Sequence, residues 1–191
     1  MSDTRAVQAM THNVAGDSLG LTRSRRIVVM GVSGSGKSTL GEALGARLGV
    51  PYLDGDTYHP PANIEKMANG EALTDADRHG WLHTLADLIR SSREHDDSLL
   101  IGCSALKHRY REQLRGGDED LTFVYLDGSY ELILARMQAR DHFFSPAMLK
   151  TQFETLEAPG DDEAIRVSIA PPLEGVVDTC VQRLIAGHGE R

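Results

Sequence analysis

The run Gly31-Val32-Ser33-Gly34-Ser35-Gly36-Lys37-Ser38 has the residue types and the G-x-x-x-x-G-K-S spacing of a loop that wraps phosphates. Glycines permit the dihedrals that turn successive backbone N–H groups inward, and a helix opening at Ser38 aims its positive end at the same anion. In such a loop Lys37 reaches the β- and γ-phosphates, the Ser38 hydroxyl ligates Mg²⁺, and Thr39 follows in the first helical turn. The expected cofactors are therefore ATP and Mg²⁺, held by residues 31–39. A glycine-rich turn that binds nothing has no need of Lys and Ser at those two positions between a strand and a helix. Nucleotide binding alone does not specify a kinase, because the same loop serves switches, motors and transporters.

Other residues carry the decision. Leu53-Asp54-Gly55-Asp56 closes a short apolar run, which in a parallel sheet puts two carboxylates at the strand's carboxyl end, where such folds bind ligands. Asp54 can join Ser38 in holding Mg²⁺, and Asp56 can orient or deprotonate an attacking hydroxyl. An Asp-Gly turn without chemistry is the plain alternative, and the phosphate loop upstream weighs against it. His59, Asn63, Lys66, Arg78, Lys107 and Arg111 follow strand ends or open helices, a donor set suited to an anionic polyol. Taken singly, each also reads as a solvated helix face or a loop cap. Arg136 and Arg140 lie one helical turn apart and either clamp the γ-phosphate from a lid or form a helix face paired with Glu131; periodicity alone leans to the second. His79 and His83 lack the glutamate of H-E-x-x-H and read as a helix face, and Trp81 reads as core.

These side chains need a scaffold that brings loops together. Buried strands are predicted at Ile27–Met30, Tyr52-Leu53, Leu99–Ile101, Leu121–Leu126 and Ile165–Ile169, each a short apolar run of the kind covered on both faces. Helices are predicted at Ser38–Leu48, Thr74–Arg93, Leu106–Arg115, Tyr130–Arg140, Pro146–Leu156 and Leu173–Ala186. Alternating strands and helices imply right-handed crossovers and a parallel sheet with helices on both faces. Thr74 with Asp77 resembles a capping box, Ser145-Pro146 a capped helix start, and Gly187 a helix stop.

At 191 residues the chain is long enough for one α/β core and short for two. Its formal charge of −8 argues against a general affinity for nucleic acid or an anionic membrane. Cys103 and Cys180, the two cysteines, sit in apolar surroundings and read as reduced core residues of a cytoplasmic protein. No apolar run suggests a membrane span or a signal peptide. Residues 1–24 are polar and aperiodic and read as a disordered tail, or, with Met10 available, as an overlong start.

The stretch from Asp54 to Gly70 closely resembles the D-G-D-x-x-H-P-x-x-N-x-x-K-M-x-x-G signature of gluconate kinases. The resemblance continues through Leu73–Arg78 with Trp81-Leu82, Cys103–Lys107 with Tyr110-Arg111, Gln152–Glu157 and Pro172–Val177, blocks that span about residues 25–185. It implies a fold similar to shikimate and nucleoside monophosphate kinases: one P-loop domain over 25–187 with a five-stranded parallel sheet, an acceptor-binding insertion at 57–81 and a lid at about 137–158. It further implies transfer of phosphate from ATP to D-gluconate, a homodimer, lid arginines Arg136 and Arg140 closing over the phosphates, and an acceptor site drawn from Asp56, His59, Asn63, Lys66, Arg78, Lys107 and Arg111. The rival expectations are a related kinase for another polyol, shikimate or a nucleotide, and a nucleotide-dependent switch.

Overall fold

The computed structural model describes residues 21, 23–139 and 146–186. Most of the 1–24 tail, Arg140, the Ser145 cap, the middle of the lid stretch and the Gly187 stop lie outside those residues. Five strands, β1 (Arg26–Met30), β2 (Tyr52–Asp54), β3 (Leu99–Gly102), β4 (Thr122–Asp127) and β5 (Ala164–Ser168), form one parallel sheet in the order β2-β3-β1-β4-β5. Between and after them run α1 (Lys37–Leu48), a 3₁₀ turn (Gly55–Tyr58), α2 (Pro61–Ala68), α3 (Asp75–Glu94), α4 (His108–Arg115), α5 (Tyr130–Gln138), α6 (Pro146–Thr155) and α7 (Leu173–Ala186).

The strand period of two divides the core into two layers. Ile27 and Val29 point to a layer shared with Leu40 and Leu44 of α1 and Cys180 and Leu184 of α7; Val28 and Met30 point to one shared with Trp81 and Leu85 of α3 and Leu114 of α4. Central β1 is thus apolar on both faces, as are β3 and β4. The expectation of two-sided burial is corrected for β2 and β5. They are the sheet edges, β2 half-buried along its length and β5 with Arg166 and Ser168 exposed. A single strand cannot report how many neighbours it has, and that number decides its burial.

The 3₁₀ turn and α2 are absent from the periodicity reading, although the turn overlaps the start of the 57–81 insertion and α2 falls inside it. Pro60-Pro61 reads locally as a loop, yet Pro61 sits at a first helical position, where its missing N–H costs nothing. The capping box predicted for α3 is present: Thr74 Oγ accepts from Asp77 N at 3.2 Å, and Asp77 Oδ2 accepts from Thr74 N at 2.8 Å. Because every strand points the same way, the loops after β1, β2 and β3 open at one edge of the sheet, and that edge gathers the residues singled out above.

Candidate active site

The loop after β1 has the backbone its glycines predict. Gly31, Gly34 and Gly36 all have positive φ, and α1 starts at Lys37 directly behind them. Gly34 needs its missing side chain as well as its φ of 77°, since a Cβ there would stand 2.6 Å from Met137 Sδ of α5. Val32 is buried, Ser33 half-buried, and Ser38 and Thr39 are exposed on the first turn of α1. The Lys37 ammonium donates to Gly31 O at 3.2 Å and Val32 O at 3.1 Å, folded over the loop it serves. Desolvation lowers its pKa, and Asp56, Cys103 and Asp54 oppose that shift, so the ammonium is stripped of water that phosphate oxygens would replace.

The two acids after β2 differ in how they are engaged. Asp54 Oδ2 accepts from Ser38 Oγ at 3.2 Å, and Oδ1 accepts from the Asp56 N–H at 3.0 Å, capping the 3₁₀ turn. Asp56 keeps a side chain 64% exposed, with His59 Nε2 4.0 Å from Oδ1. The turn holding them is packed closely: a Cβ on Gly55 would meet Gly102 O at 2.3 Å, and Gly55 O accepts from Trp81 Nε1 at 2.7 Å. Trp81 is core as expected, and its indole nitrogen fixes the acidic turn.

His59 is buried and stacks on Trp81 with ring centroids 4.0 Å apart. Its Nδ1 lies 3.3 Å from Asn63 Nδ2, a donor, which assigns the proton to Nε2, the nitrogen facing Asp56. Burial lowers its pKa, against Asp56 and with Arg78, so the ring is a neutral donor at pH 7. Asn63 spends its other amide hydrogen on Asp77 O at 2.8 Å. It therefore positions His59 and ties α2 to α3, and its donors do not reach an acceptor substrate.

Among the four expected carboxylate-reading cations the structure separates one from three. Lys66 Nζ is held by both oxygens of Asp77, at 2.8 and 2.9 Å, and Lys107 Nζ by Asp75 at 2.9 Å. Asp75 also accepts from Arg109 and Tyr110, and the resulting hydrogen bonds depress its pKa; those from Lys66 and Thr74 take Asp77 down to about 2. The expectation for Arg111 is corrected. It is 1% exposed, pairs with both oxygens of Glu163, and donates to Ala105 O, Leu106 O and Glu157 O, so it is spent inside the protein and not turned to a substrate. What it stabilises is the loop after β3, where Ala105 holds a left-handed φ of 43° that a residue with a Cβ adopts only under constraint.

Glu163→Ala should accordingly cost about 3 kcal/mol of stability at pH 7, because it leaves a buried guanidinium without its counter-charge. The Arg111 hydrogen bond lowers the Glu163 pKa, so the pair's contribution is present above the unfolded-state value near 4.3 and lost as pH falls through the depressed one. Urea titrations of wild type and variant should show a gap at pH 7 that narrows below pH 4.

Arg78 is different. It has no carboxylate partner among the described residues, is half-buried, and lies 6.0 Å over the Tyr110 ring. Arg78, Lys37 and Asp56 all act electrostatically on the buried thiol of Cys103, which desolvation pushes up to about 12. Those three charges are therefore grouped near the residue that follows β3. Cys103 is core as expected, and it sits directly after β3, which lies between β1 and β2.

Of the lid pair, Arg140 lies outside the described residues. Arg136 Nη2 donates to Ile169 O at 2.7 Å, just past β5, and Glu131 is not its partner. His79 and His83 are exposed on α3, His83 3.6 Å from Asp87. A residue not singled out for the site does reach the phosphate loop: Gln152 of α6 accepts from Ser33 N–H at 2.6 Å.

The residues present fit a nucleotide and its cation. Ser35 Oγ in the loop is buried and finds no partner among the described residues, and the buried Tyr52 hydroxyl has the Ser38 side chain beside it without a well-formed hydrogen bond. The Tyr52 ring packs where Gly41 and Gly102 leave room, in the field of Asp54 and Asp56, and burial raises its pKa to about 12. Phosphate oxygens and a hydrated cation supply the partners such groups require. The hydroxyl and carboxylate of Ser38 and Asp54 are the hard oxygen ligands Mg²⁺ prefers.

Comparison with known proteins agrees with this geometry. The family model described as shikimate kinase matches residues 33–160. The thermoresistant gluconokinase of Escherichia coli (strain K12) is 48% identical over 163 residues, 84% of this chain and 93% of that protein. The gluconokinase of Gluconobacter oxydans (strain 621H) is 49% identical over 148 residues, 76% of this chain and 83% of that one. The crystal structure of a gluconokinase from Sinorhizobium meliloti 1021 superposes with a TM-score of 0.79 at 42% identity, covering 85% of this chain and 92% of its own.

Proposed function

The chain belongs to the gluconokinase group of the shikimate kinase family, and from that premise we propose that it transfers the γ-phosphoryl group of ATP to D-gluconate, giving 6-phospho-D-gluconate and ADP. The observation that carries the choice of acceptor is Arg78, a cation without a carboxylate partner among the described residues that lies close enough to Cys103 and His59, as Asp56 does, to bear on both. A substrate with a hydroxyl at one end and a carboxylate at the other would meet a base and a counter-charge there.

In this reading the loop amides and Lys37 bind the phosphates, and Ser38 with Asp54 would hold Mg²⁺, which offsets phosphate charge when bound. Asp56 accepts the proton of the attacking hydroxyl as its oxygen bonds to phosphorus and ADP leaves. The Nε2–H of neutral His59 orients Asp56 or the hydroxyl, and Asn63 and Trp81 keep His59 in place. The chemistry is positioning and charge neutralisation, with no covalent enzyme intermediate. The segment 57–81 serves as the acceptor insertion, and Arg136 leads into, and Arg140 belongs to, a lid region of about 137–158 whose helix α6 is anchored to the core by Leu149. Lys66 and Lys107 brace α3 through Asp77 and Asp75.

The test is ADP release, followed by a coupled assay, with gluconate, glucose, shikimate and a nucleoside monophosphate as acceptors. Gluconate-dependent turnover well above the others is expected. Preference for shikimate or a nucleotide would overturn the acceptor, and slow hydrolysis indifferent to all four would favour a switch. We further propose that the enzyme works in the cytoplasm as a homodimer, a reading supported by the family resemblance. No helix among the described residues is long and apolar enough to cross a membrane. Light scattering on the purified chain reads the oligomer directly.

A further inference from the structure

We propose that Gln152 is a positioning residue of the phosphate loop, holding the Val32–Ser33 peptide in the orientation that nucleotide binding requires. This rests on the reading that the loop binds Mg-ATP. A backbone N–H can only donate, so the carboxamide atom 2.6 Å from Ser33 N is the oxygen, which settles how the Gln152 amide is turned. At the other end of the same peptide unit Val32 O accepts from Lys37 Nζ at 3.1 Å. The peptide is therefore held at both polar ends, by a side chain from within the loop's own helix and by one 119 residues away in sequence. Rotating it would break both bonds and would turn the adjoining amides away from the phosphates they must face.

The element that supplies Gln152 is itself fixed. Leu149 on α6 is fully buried, and the Phe153 ring meets Tyr130 of α5 edge-on at 5.5 Å. Just past α6, Glu157 N–H donates to Leu106 O at 2.8 Å and the Glu157 carboxylate accepts from His108 N at 2.7 Å. Residues 152–157 thus touch the phosphate loop at one end and the loop after β3 at the other. A rigid support of this kind pre-pays the ordering of the loop, which otherwise falls on nucleotide binding.

Gln152→Met keeps length and helix propensity but removes the acceptor, whereas Gln152→Glu keeps an acceptor. The measurement is calorimetric titration with Mg-ADP, which needs no turnover, alongside KM for ATP, KM for gluconate and Tm. The Met variant should bind Mg-ADP roughly three- to tenfold more weakly and raise KM for ATP to match, with KM for gluconate and Tm close to wild type. The Glu variant should bind Mg-ADP more tightly than the Met variant. Wild-type Mg-ADP affinity in the Met variant would overturn the proposal, as would parallel shifts in gluconate KM and Tm, or a Glu variant weaker than the Met variant. Should wild type bind Mg-ADP yet show no gluconate-dependent turnover, the acceptor reading falls and the calorimetric comparison still decides the role of Gln152.

Discussion

Asp56→Asn should lower kcat by roughly 10²- to 10⁴-fold while KM for ATP stays close to wild type, because it preserves shape and hydrogen bonding but cannot take a proton. The structure distinguishes this acid from its neighbour by what each is already doing. Both Asp54 oxygens are engaged, one by Ser38 and one by the Asp56 N–H, as suits a fixed group beside a cation. The Asp56 carboxylate is 64% exposed and faces a neutral imidazole 4.0 Å away, which leaves it able to accept. Asp54→Asn should therefore express its defect as a raised Mg²⁺ requirement, read by titrating Mg²⁺ at fixed ATP. Interchangeable kinetics in the two variants would end this division of labour.

The parts of the site legible from sequence are those whose chemistry is local. A phosphate loop needs its glycines, lysine and serine within eight positions, and Gly31 to Ser38 supply them in order. The buried strands are legible for a similar reason, since Ile27 to Met30 can be apolar at every position only if both faces are covered. What local pattern cannot show is pairing at a distance. Arg111 and Arg78 look alike as cations near strand ends, and what separates them is Glu163, 52 residues beyond Arg111 and brought to it by the fold. The same holds for Trp81 Nε1 on Gly55 O, and for Gln152, which opens the family-like block Gln152–Glu157 yet gives no local sign of the loop it touches. Edge burial of β2 and β5 belongs to this class too, because it depends on strand order.

That separation of Arg78 from the other cations sets the second large effect. Gluconate differs from glucose chiefly in an open chain ending in a carboxylate, and a site that pairs this charge strands a desolvated cation when a neutral sugar enters. Wild type should therefore favour gluconate over glucose by roughly 10³-fold or more in kcat/KM. Arg78→Gln should cost on the order of 10²-fold in kcat/KM for gluconate, mostly through KM, while leaving glucose turnover and KM for ATP nearly unchanged, so that the gap between the sugars closes. Lys107→Gln is the control that gives the comparison its meaning. Lys107 is already held by Asp75 at 2.9 Å, and recruiting it to the substrate would mean breaking that pair, so its loss should move gluconate kinetics far less. Steady-state kinetics with both acceptors at saturating Mg-ATP reads all three proteins on one scale. Equal losses in the two variants would show that the intramolecular pair yields to substrate, and an Arg78→Gln enzyme with wild-type discrimination would remove Arg78 from carboxylate recognition altogether.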